Sequence, residues 1–158
     1  MIKYVDTKVT FSEVPDEISL CINISNCPIH CEGCHSPYLA EDIGNYLTIE
    51  KLLELCESNK GITCVCFMGG DADTLRIAAL SDLVKRETNL KTAWYSGKSD
   101  YNTVKWASHF DYIKMGKYIE ALGPLSSKTT NQRMFKVIHK EGKKFTLEDI
   151  TYKFRKDD

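Results

Sequence analysis

The chain has 158 residues, with 21 Lys plus Arg against 22 Asp plus Glu and a formal net charge of −1. This length suits one domain, since domains typically run about 100 to 200 residues, and the charge excludes recruitment of nucleic acid or an anionic membrane by a global positive field. Hydrophobic residues at 42% and charged residues at 27% exclude a disordered chain or a collagen-like fibre. No segment reaches the roughly 18 consecutive apolar residues that a membrane span requires, so we expect a soluble protein.

Seven cysteines are the most unusual feature of the composition. The chain opens Met1-Ile2-Lys3, without the apolar segment of a secretory signal. We therefore expect a cytoplasmic protein, because clustered thiols in a reducing compartment are more often metal ligands or catalysts than disulfides.

Strand and helix patterns alternate along much of the chain. Residues 2–14 predict a short strand or hairpin, and the alternation of Ile18, Leu20, Ile22 and Ile24 predicts the first core strand. The later predicted elements are a helix over 49–61 capped by Thr48, a strand over 62–68, a helix over 74–87 capped by Asp71 or Asp73, a strand over 90–95, a short helix over 101–109, and strands over 111–115, 134–138 and 145–154.

This order predicts an α/β fold with right-handed crossovers and mostly parallel strands. About four parallel strands, with one or two more at the C-terminal end, suit an open partial (β/α) barrel, because a closed eight-unit barrel needs about 250 residues. We expect one domain over residues 1–158, in which 1–16 form an N-terminal edge element and 17–158 form the partial barrel.

Three cysteines with C-x3-C-x2-C spacing, Cys27, Cys31 and Cys34, follow the first core strand directly. Thiolates so close in sequence can converge on one metal centre. Structural zinc normally takes four protein ligands, whereas three thiolates on a [4Fe–4S] cluster leave one iron open to a small molecule. A Cys3His zinc site with His30 or His35 is one alternative, and three unrelated buried thiols are another, which a loop containing proline and glycine disfavours.

The spacing and position of these cysteines resemble those of the radical S-adenosylmethionine enzymes. Met68-Gly69-Gly70-Asp71, at the end of the second core strand, is similar to the Gly-Gly-Glu type motif of that family. The resemblance implies a [4Fe–4S] cluster on Cys27, Cys31 and Cys34, with S-adenosylmethionine chelating the open iron. It further implies a cofactor pocket lined by Gly33, Cys34, His35, Gly69, Gly70, Asp71, Ser96 and Gly97. No side chain is required as a general base.

Four further segments narrow the resemblance to the activating proteins of anaerobic ribonucleoside-triphosphate reductases. They are Cys31-Glu-Gly-Cys34-His35-Ser36-Pro37, Ala93-Trp94-Tyr95-Ser96-Gly97, Asp111-Tyr-Ile-Lys-Met-Gly-Lys117 and Thr130-Asn131-Gln132-Arg133. This implies reduction of the cluster by an external low-potential donor such as flavodoxin or ferredoxin, and reductive cleavage of S-adenosylmethionine. The resulting radical would remove hydrogen from a glycine in the glycyl-radical subunit of the reductase. Arg133 either binds a carboxylate or holds its loop.

Other functions stay open on the sequence alone. They are activation of another glycyl-radical enzyme, small-molecule radical chemistry and a zinc-stabilised interaction module. The short chain favours an open barrel mouth that receives a loop of a larger protein over a closed barrel that encloses a small substrate.

The remaining cysteines, Cys21, Cys56, Cys64 and Cys66, are expected to pack as small apolar residues. The basic cluster of Lys140, Lys143 and Lys144 is interleaved with Glu141 and followed by Glu148-Asp149, which indicates a solvated face without nucleic acid or membrane.

Overall fold

The computed structural model describes residues 2–27, 37–142 and 144–155. These residues form an eight-stranded sheet with two α-helices and a one-turn helix. The strands are β1 (Lys3–Thr10), β2 (Ser19–Ile24), β3 (Asn45–Tyr46), β4 (Cys64–Met68), β5 (Lys91–Tyr95), β6 (Tyr112–Met115), β7 (Arg133–His139) and β8 (Phe145–Asp149). The helices are α1 (Ile49–Ser58), α2 (Thr74–Glu87) and the one-turn α3 (Tyr101–Val104). None of the described helices is long and apolar enough to cross a membrane.

The sheet is mixed, with the strand order β3-β1-β2-β4-β5-β6-β7-β8. The four central strands β2, β4, β5 and β6 are parallel, and the outer pairings are antiparallel. The predicted α/β class is confirmed, whereas the expected predominance of parallel strands holds only at the centre of the sheet. The physical reason is the connections: a parallel neighbour usually requires a crossover helix, whereas residues 116–132 between β6 and β7 form no helix and a short turn joins β7 to β8.

The predicted N-terminal element forms β1. This strand pairs antiparallel with β2 on one side and with the short β3 on the other. Among the described strands β3 is therefore the edge strand, and β1, which was predicted at the edge, is the second strand. The backbone of Leu47 also donates to the carbonyl of Ile2 at 3.0 Å, which continues the contact beyond β3. Residues 45–47 therefore cover the outer side of β1.

Both long helices begin at the side-chain caps that the sequence predicts. Thr48 Oγ1 accepts a hydrogen bond from the Lys51 amide at 3.1 Å. Of the two aspartates considered for α2, Asp73 is the cap, and its Oδ1 accepts from the Arg76 amide at 3.2 Å. Such bonds satisfy amides that have no partner within the first helical turn. Asp71 is thereby left for another role.

Removing the Asp73 cap should lower the free energy of unfolding by about 1 kcal/mol, because an amide of α2 loses its acceptor. Asp73→Ala tests this by urea unfolding followed by circular dichroism. Asp73→Asn is the matched control, since its amide oxygen can still accept, and it should lose only a few tenths of a kcal/mol. Equal losses in the two variants would show that the hydrogen bond is not what Asp73 contributes.

One face of the sheet packs against the helices. Val65, Phe67, Trp94 and Ile113 on the strands share a buried cluster with helix residues. The helix residues are Leu52 of α1 and Ile77, Leu80, Leu83 and Val84 of α2. Burial of this apolar surface is the main term that fixes the helices on this face.

Connecting segments cover the opposite face. Its strand side chains include Cys21, Cys64, Cys66 and Tyr112, which pack with Val14, Leu125 and Ile150. The buried Glu17 carboxylate accepts from Tyr112 Oη at 2.8 Å and from Lys91 Nζ at 3.2 Å, and Tyr95 Oη donates to the carbonyl of Glu13. The connecting segments therefore cover the strand side chains of this face.

Candidate functional site

The four parallel strands end side by side at one edge of the sheet. Met68, the last residue of β4, pairs with Asn23 of β2 and with Tyr95, the last residue of β5. Tyr95 pairs in turn with Lys114 of β6. The carboxyl ends of parallel strands are where α/β folds build their sites. The residues that follow these strands share this edge, which we call the carboxyl edge: Cys27, Gly69, Ser96 and Gly116.

Backbone hydrogen bonds close the base of the cysteine loop. The Cys27 amide donates to the carbonyl of Leu39 at 2.7 Å, and the Asn26 amide donates to the carbonyl of Glu41 at 2.9 Å. Asn26 has a φ of 59°, the left-handed conformation that asparagine tolerates better than most residues. Cys27 and Leu39 therefore lie next to each other at the carboxyl edge. Cys27 is half-buried and its thiol is free.

Four of the predicted site residues, Gly33, Cys34, His35 and the metal ligand Cys31, lie outside the described residues. Of the three predicted metal ligands, Cys27 is the one that the structure describes. Within the ranges 2–27, 37–142 and 144–155, no group of three or more His, Cys, Asp or Glu side chains is arranged to hold a metal ion.

Gly69 and Gly70 turn the chain sharply after β4. Their φ angles are 109° and 95°, which L side chains rarely adopt. A Cβ on Gly69 would lie 3.3 Å from the carbonyl oxygen of Ile24, and a Cβ on Gly70 would lie 2.6 Å from Cδ1 of Ile77. The indole nitrogen of Trp94 donates to the carbonyl of Gly69 at 2.7 Å and fixes the turn. The glycines thus let the turn approach β2 on one side and α2 on the other.

Asp71, Ser96 and Gly97 form one hydrogen-bonded cluster. Asp71 is only 6% exposed, and its Oδ1 accepts from Ser96 Oγ at 2.5 Å. Its Oδ2 accepts from the Gly97 amide at 2.9 Å, and the Lys98 amide donates to Ser96 Oγ at 3.0 Å. Three residues predicted for one pocket are therefore in direct contact across the ends of β4 and β5. The carboxylate is held by donors of the protein itself, as a buried charge requires.

Lys114 and Gln132 belong to the same edge; both lie in segments that carry the resemblance, but neither was predicted as a site residue. Lys114 is 8% exposed, and its Nζ donates to the carbonyls of Ser96 and Gly116, each at 3.1 Å. Gln132 Nε2 donates to the same Gly116 carbonyl at 3.3 Å. One feature of the sequence could have identified Lys114: it is the charged residue of the otherwise uncharged strand β6. Lysine is rarely buried unless it is paired, so such a position indicates specific partners.

The Asn-Gln-Arg segment fastens the chain that follows β6. Asn131 Nδ2 donates to the carbonyl of Lys117 at 3.0 Å. Arg133, whose side chain is 43% exposed, lies 3.7 Å from the Asp149 carboxylate on β8. Ion pairs this exposed contribute about 0 to 1 kcal/mol. Of the two roles weighed for Arg133, the described contact is a structural one within the sheet.

The four cysteines outside the motif pack against apolar neighbours. Cys21, Cys64 and Cys66 are buried, and Cys56, on α1, is partly buried against the core. Burial raises the pKa of the Cys64 and Cys66 thiols far above the ordinary value and raises the pKa of Cys56 to about 11. The thiols of Cys56, Cys64 and Cys66 are therefore protonated near neutral pH and are poor nucleophiles.

Alkylation of the native protein should follow this order of burial. At pH 8 only about one in a thousand Cys56 side chains is a thiolate when the pKa is about 11. Its rate of reaction with iodoacetamide should rise about tenfold per pH unit up to pH 10, because the thiolate is the reactive form. Cys64 and Cys66 should stay unmodified until the protein unfolds, as peptide mass spectrometry can measure. Rapid labelling of Cys66 in the folded protein would contradict the packing.

The described part of the site combines Cys27, the Gly69-Gly70 turn and the Asp71–Ser96 cluster at one edge of the sheet. Cysteine supplies a thiolate ligand, the glycines allow close approach of a ligand to the backbone, and the cluster fixes a buried carboxylate. A scan against protein-family models, a search of curated proteins and a search of solved structures each found no match.

Proposed function

We propose that this protein is a radical S-adenosylmethionine enzyme that generates the glycyl radical of an anaerobic ribonucleoside-triphosphate reductase. Cys27, Cys31 and Cys34 would hold a [4Fe–4S] cluster. The observation that carries the proposal is that Cys27 and the Gly69-Gly70 turn follow the neighbouring parallel strands β2 and β4, at the carboxyl edge of four parallel strands. Three thiolate ligands, rather than four, leave one iron for a small molecule.

Cys27, the described ligand of the cysteine motif, is suited to bind such a cluster. The Cys27 thiol is free and half-buried at the closed base of its loop, so ligation requires no disruption of the core. When bound, the cluster would supply the one-electron reduction that cleaves the sulfonium of S-adenosylmethionine. The protein contributes binding, orientation and exclusion of water, since the radical chemistry belongs to the cofactor.

The Gly69-Gly70 turn and the Asp71–Ser96 cluster supply the orientation. Neither glycine presents a side chain, so a ligand can hydrogen-bond the backbone at this turn. Asp71 is fixed through both carboxylate oxygens, which leaves acceptor positions in a constant direction for a ligand ammonium group. Because this acceptor is already ordered, ligand binding does not include the entropy cost of ordering it.

Within the α/β class, we propose that the architecture is an open partial (β/α) barrel, built on β2, β4, β5 and β6. Their consecutive order in the sheet and the position of α1 and α2 on one face support it. The antiparallel strands β1, β3, β7 and β8 would flank this half-barrel.

A protein loop is the substrate that the architecture favours. The sheet face opposite the helices is filled by side chains such as Val14, Leu125 and Ile150, so a substrate has to approach at the carboxyl edge. A glycine on a loop of the reductase subunit can reach such an edge. We place the reaction in the cytoplasm, with an external low-potential donor such as flavodoxin or ferredoxin.

Anaerobic reconstitution tests the proposal. The protein should bind about four irons and four sulfides and, after reduction, give an electron paramagnetic resonance signal that S-adenosylmethionine alters. With the reductase subunit and a strong reductant it should form methionine, 5′-deoxyadenosine and a glycyl radical. A reductase variant with alanine at the radical glycine is the control for the final step. One zinc without acid-labile sulfide, or no cleavage of S-adenosylmethionine, would contradict the proposal.

A further inference from the structure

Lys114 occupies an unusual position for a lysine. It is 8% exposed in the middle of the sheet, paired in register with Tyr95, and its Nζ lies 5.5 Å from the centre of the Tyr95 ring. Two of its hydrogen bonds go to the carbonyls of Ser96 and Gly116, which directly follow β5 and β6. The side chain therefore joins two strand ends at the carboxyl edge.

Ser96 connects this lysine to Asp71. Its carbonyl accepts from Lys114 Nζ at 3.1 Å, and its hydroxyl donates to Asp71 Oδ1 at 2.5 Å. The next amide, of Gly97, donates to Asp71 Oδ2 at 2.9 Å. A continuous hydrogen-bonded path thus runs from β6 through the end of β5 to the turn after β4.

We propose that Lys114 is a positioning residue for the S-adenosylmethionine pocket, and that it acts through Ser96 on the carboxylate of Asp71. This inference rests on the proposed function and names the residue that orders its ligand-binding edge. Lys114 fixes the peptide of Ser96, and that peptide sets the direction of the Ser96 hydroxyl and the Gly97 amide. Both oxygens of Asp71 are then held in one orientation toward the ligand.

Stability alone is a poor explanation for a lysine at this position. The residues paired with it in the sheet, Tyr95 and Met134, pack in the apolar cluster of this face, and methionine at position 114 would fill a similar volume. Replacing a buried ion pair or triad by well-packed apolar side chains is often neutral or stabilising, so a buried charge is weak evidence for a stabilising role. A role in arranging polar groups for a ligand accounts for the lysine, because that arrangement requires hydrogen-bond donors.

The test measures binding of S-adenosylmethionine to reconstituted protein by calorimetry, in four variants. Lys114→Met and Asp71→Asn should each weaken binding about 10-fold, the scale typical of residues that orient a binding group. The double variant should also weaken binding by only about 10-fold, because both changes interrupt one path. Lys136→Met is the control, since Lys136 is exposed on the neighbouring β7, and its affinity should match that of the wild type.

Two further readouts separate positioning from a merely structural role. Lys114→Met should raise the KM for S-adenosylmethionine while changing kcat by less than about twofold, and Lys114→Arg should restore much of the affinity. In the cluster-free protein, the amides of Gly97 and Lys98 should exchange hydrogen faster in Lys114→Met than in Lys136→Met. If Lys114→Met does not fold, Ser96→Ala interrupts the same path without the lysine change and should show the same loss of affinity.

Wild-type affinity in Lys114→Met, or a multiplied loss of about 100-fold in the double variant, would overturn this proposal alone. Absence of S-adenosylmethionine binding by the wild-type protein would overturn the proposed function, and this proposal with it.

Discussion

Replacing Cys27 by alanine should abolish the cluster: anaerobically reconstituted protein should fall from about four irons per chain to nearly none. The remaining thiols of the motif, Cys31 and Cys34, would provide only two ligands. Cleavage of S-adenosylmethionine should be lost with the iron. The free energy of unfolding of the cluster-free protein should change by less than about 0.5 kcal/mol, because Cys27 is half-buried at the rim and packs in neither core cluster.

Cys56→Ala is the matched control for this experiment. Cys56 is also only partly buried, but it lies on α1 and outside the predicted motif. Iron content, acid-labile sulfide and cleavage rate should be those of the wild type in this variant. Full iron loading of Cys27→Ala, or equal loss in both variants, would remove Cys27 from the ligand set.

Gly70→Ala should lower the free energy of unfolding by about 2 to 5 kcal/mol. Two effects add: the positive φ strains an L residue by about 1–2 kcal/mol, and the extra methyl group overpacks Ile77 by about 1–3 kcal/mol. Urea unfolding of cluster-free protein, followed by circular dichroism, measures the change. Relief of the clash would move α2 away from the sheet, so the Asp73 end of the helix should also become less ordered.

Gly61→Ala separates the two effects. Gly61 has a similar φ of 88°, but nothing lies within 4 Å of the position that its Cβ would take. This variant should lose only about 1–2 kcal/mol, the backbone part of the effect. If both variants lose the same free energy, the contact of Gly70 with Ile77 contributes nothing, and the close docking of α2 on this turn is incorrect.

The central part of the fold was predictable because its signals are local. The helix predicted over 74–87 is confirmed at both ends, since a capping aspartate and the apolar positions of one face mark it, although the sequence does not decide between Asp71 and Asp73 as the cap. Ile18, one of the four residues whose alternation predicts the first core strand, is 44% exposed. It precedes Ser19, the first residue of β2, and so lies outside the repeating pattern.

The candidate site was predictable only in part. Residues that follow a strand, such as Gly69 and Ser96, can be assigned to the carboxyl edge because strand ends are visible in the sequence. The contact between Asp71 and Ser96 depends on β4 and β5 being neighbours, which a single sequence does not specify. Lys114 was missed for the same reason, since its acceptors come from the ends of two different strands. The roles of Gly33, Cys31, Cys34 and His35 stay predictions.

The filled face of the sheet has a consequence for how the chain folds. Asp16 bonds to Lys153 at 2.7 Å across a separation of 137 positions, and Glu17 bonds to Tyr112 across 95. Contacts between such distant parts of a chain carry a large loop-closure entropy and slow the folding reaction. Val14 can be fully buried only after Leu125 and Ile150 have been synthesised. A nascent chain therefore exposes the Cys64–Cys66 face of its sheet, and its thiols, until the segment around Ile150 has left the ribosome.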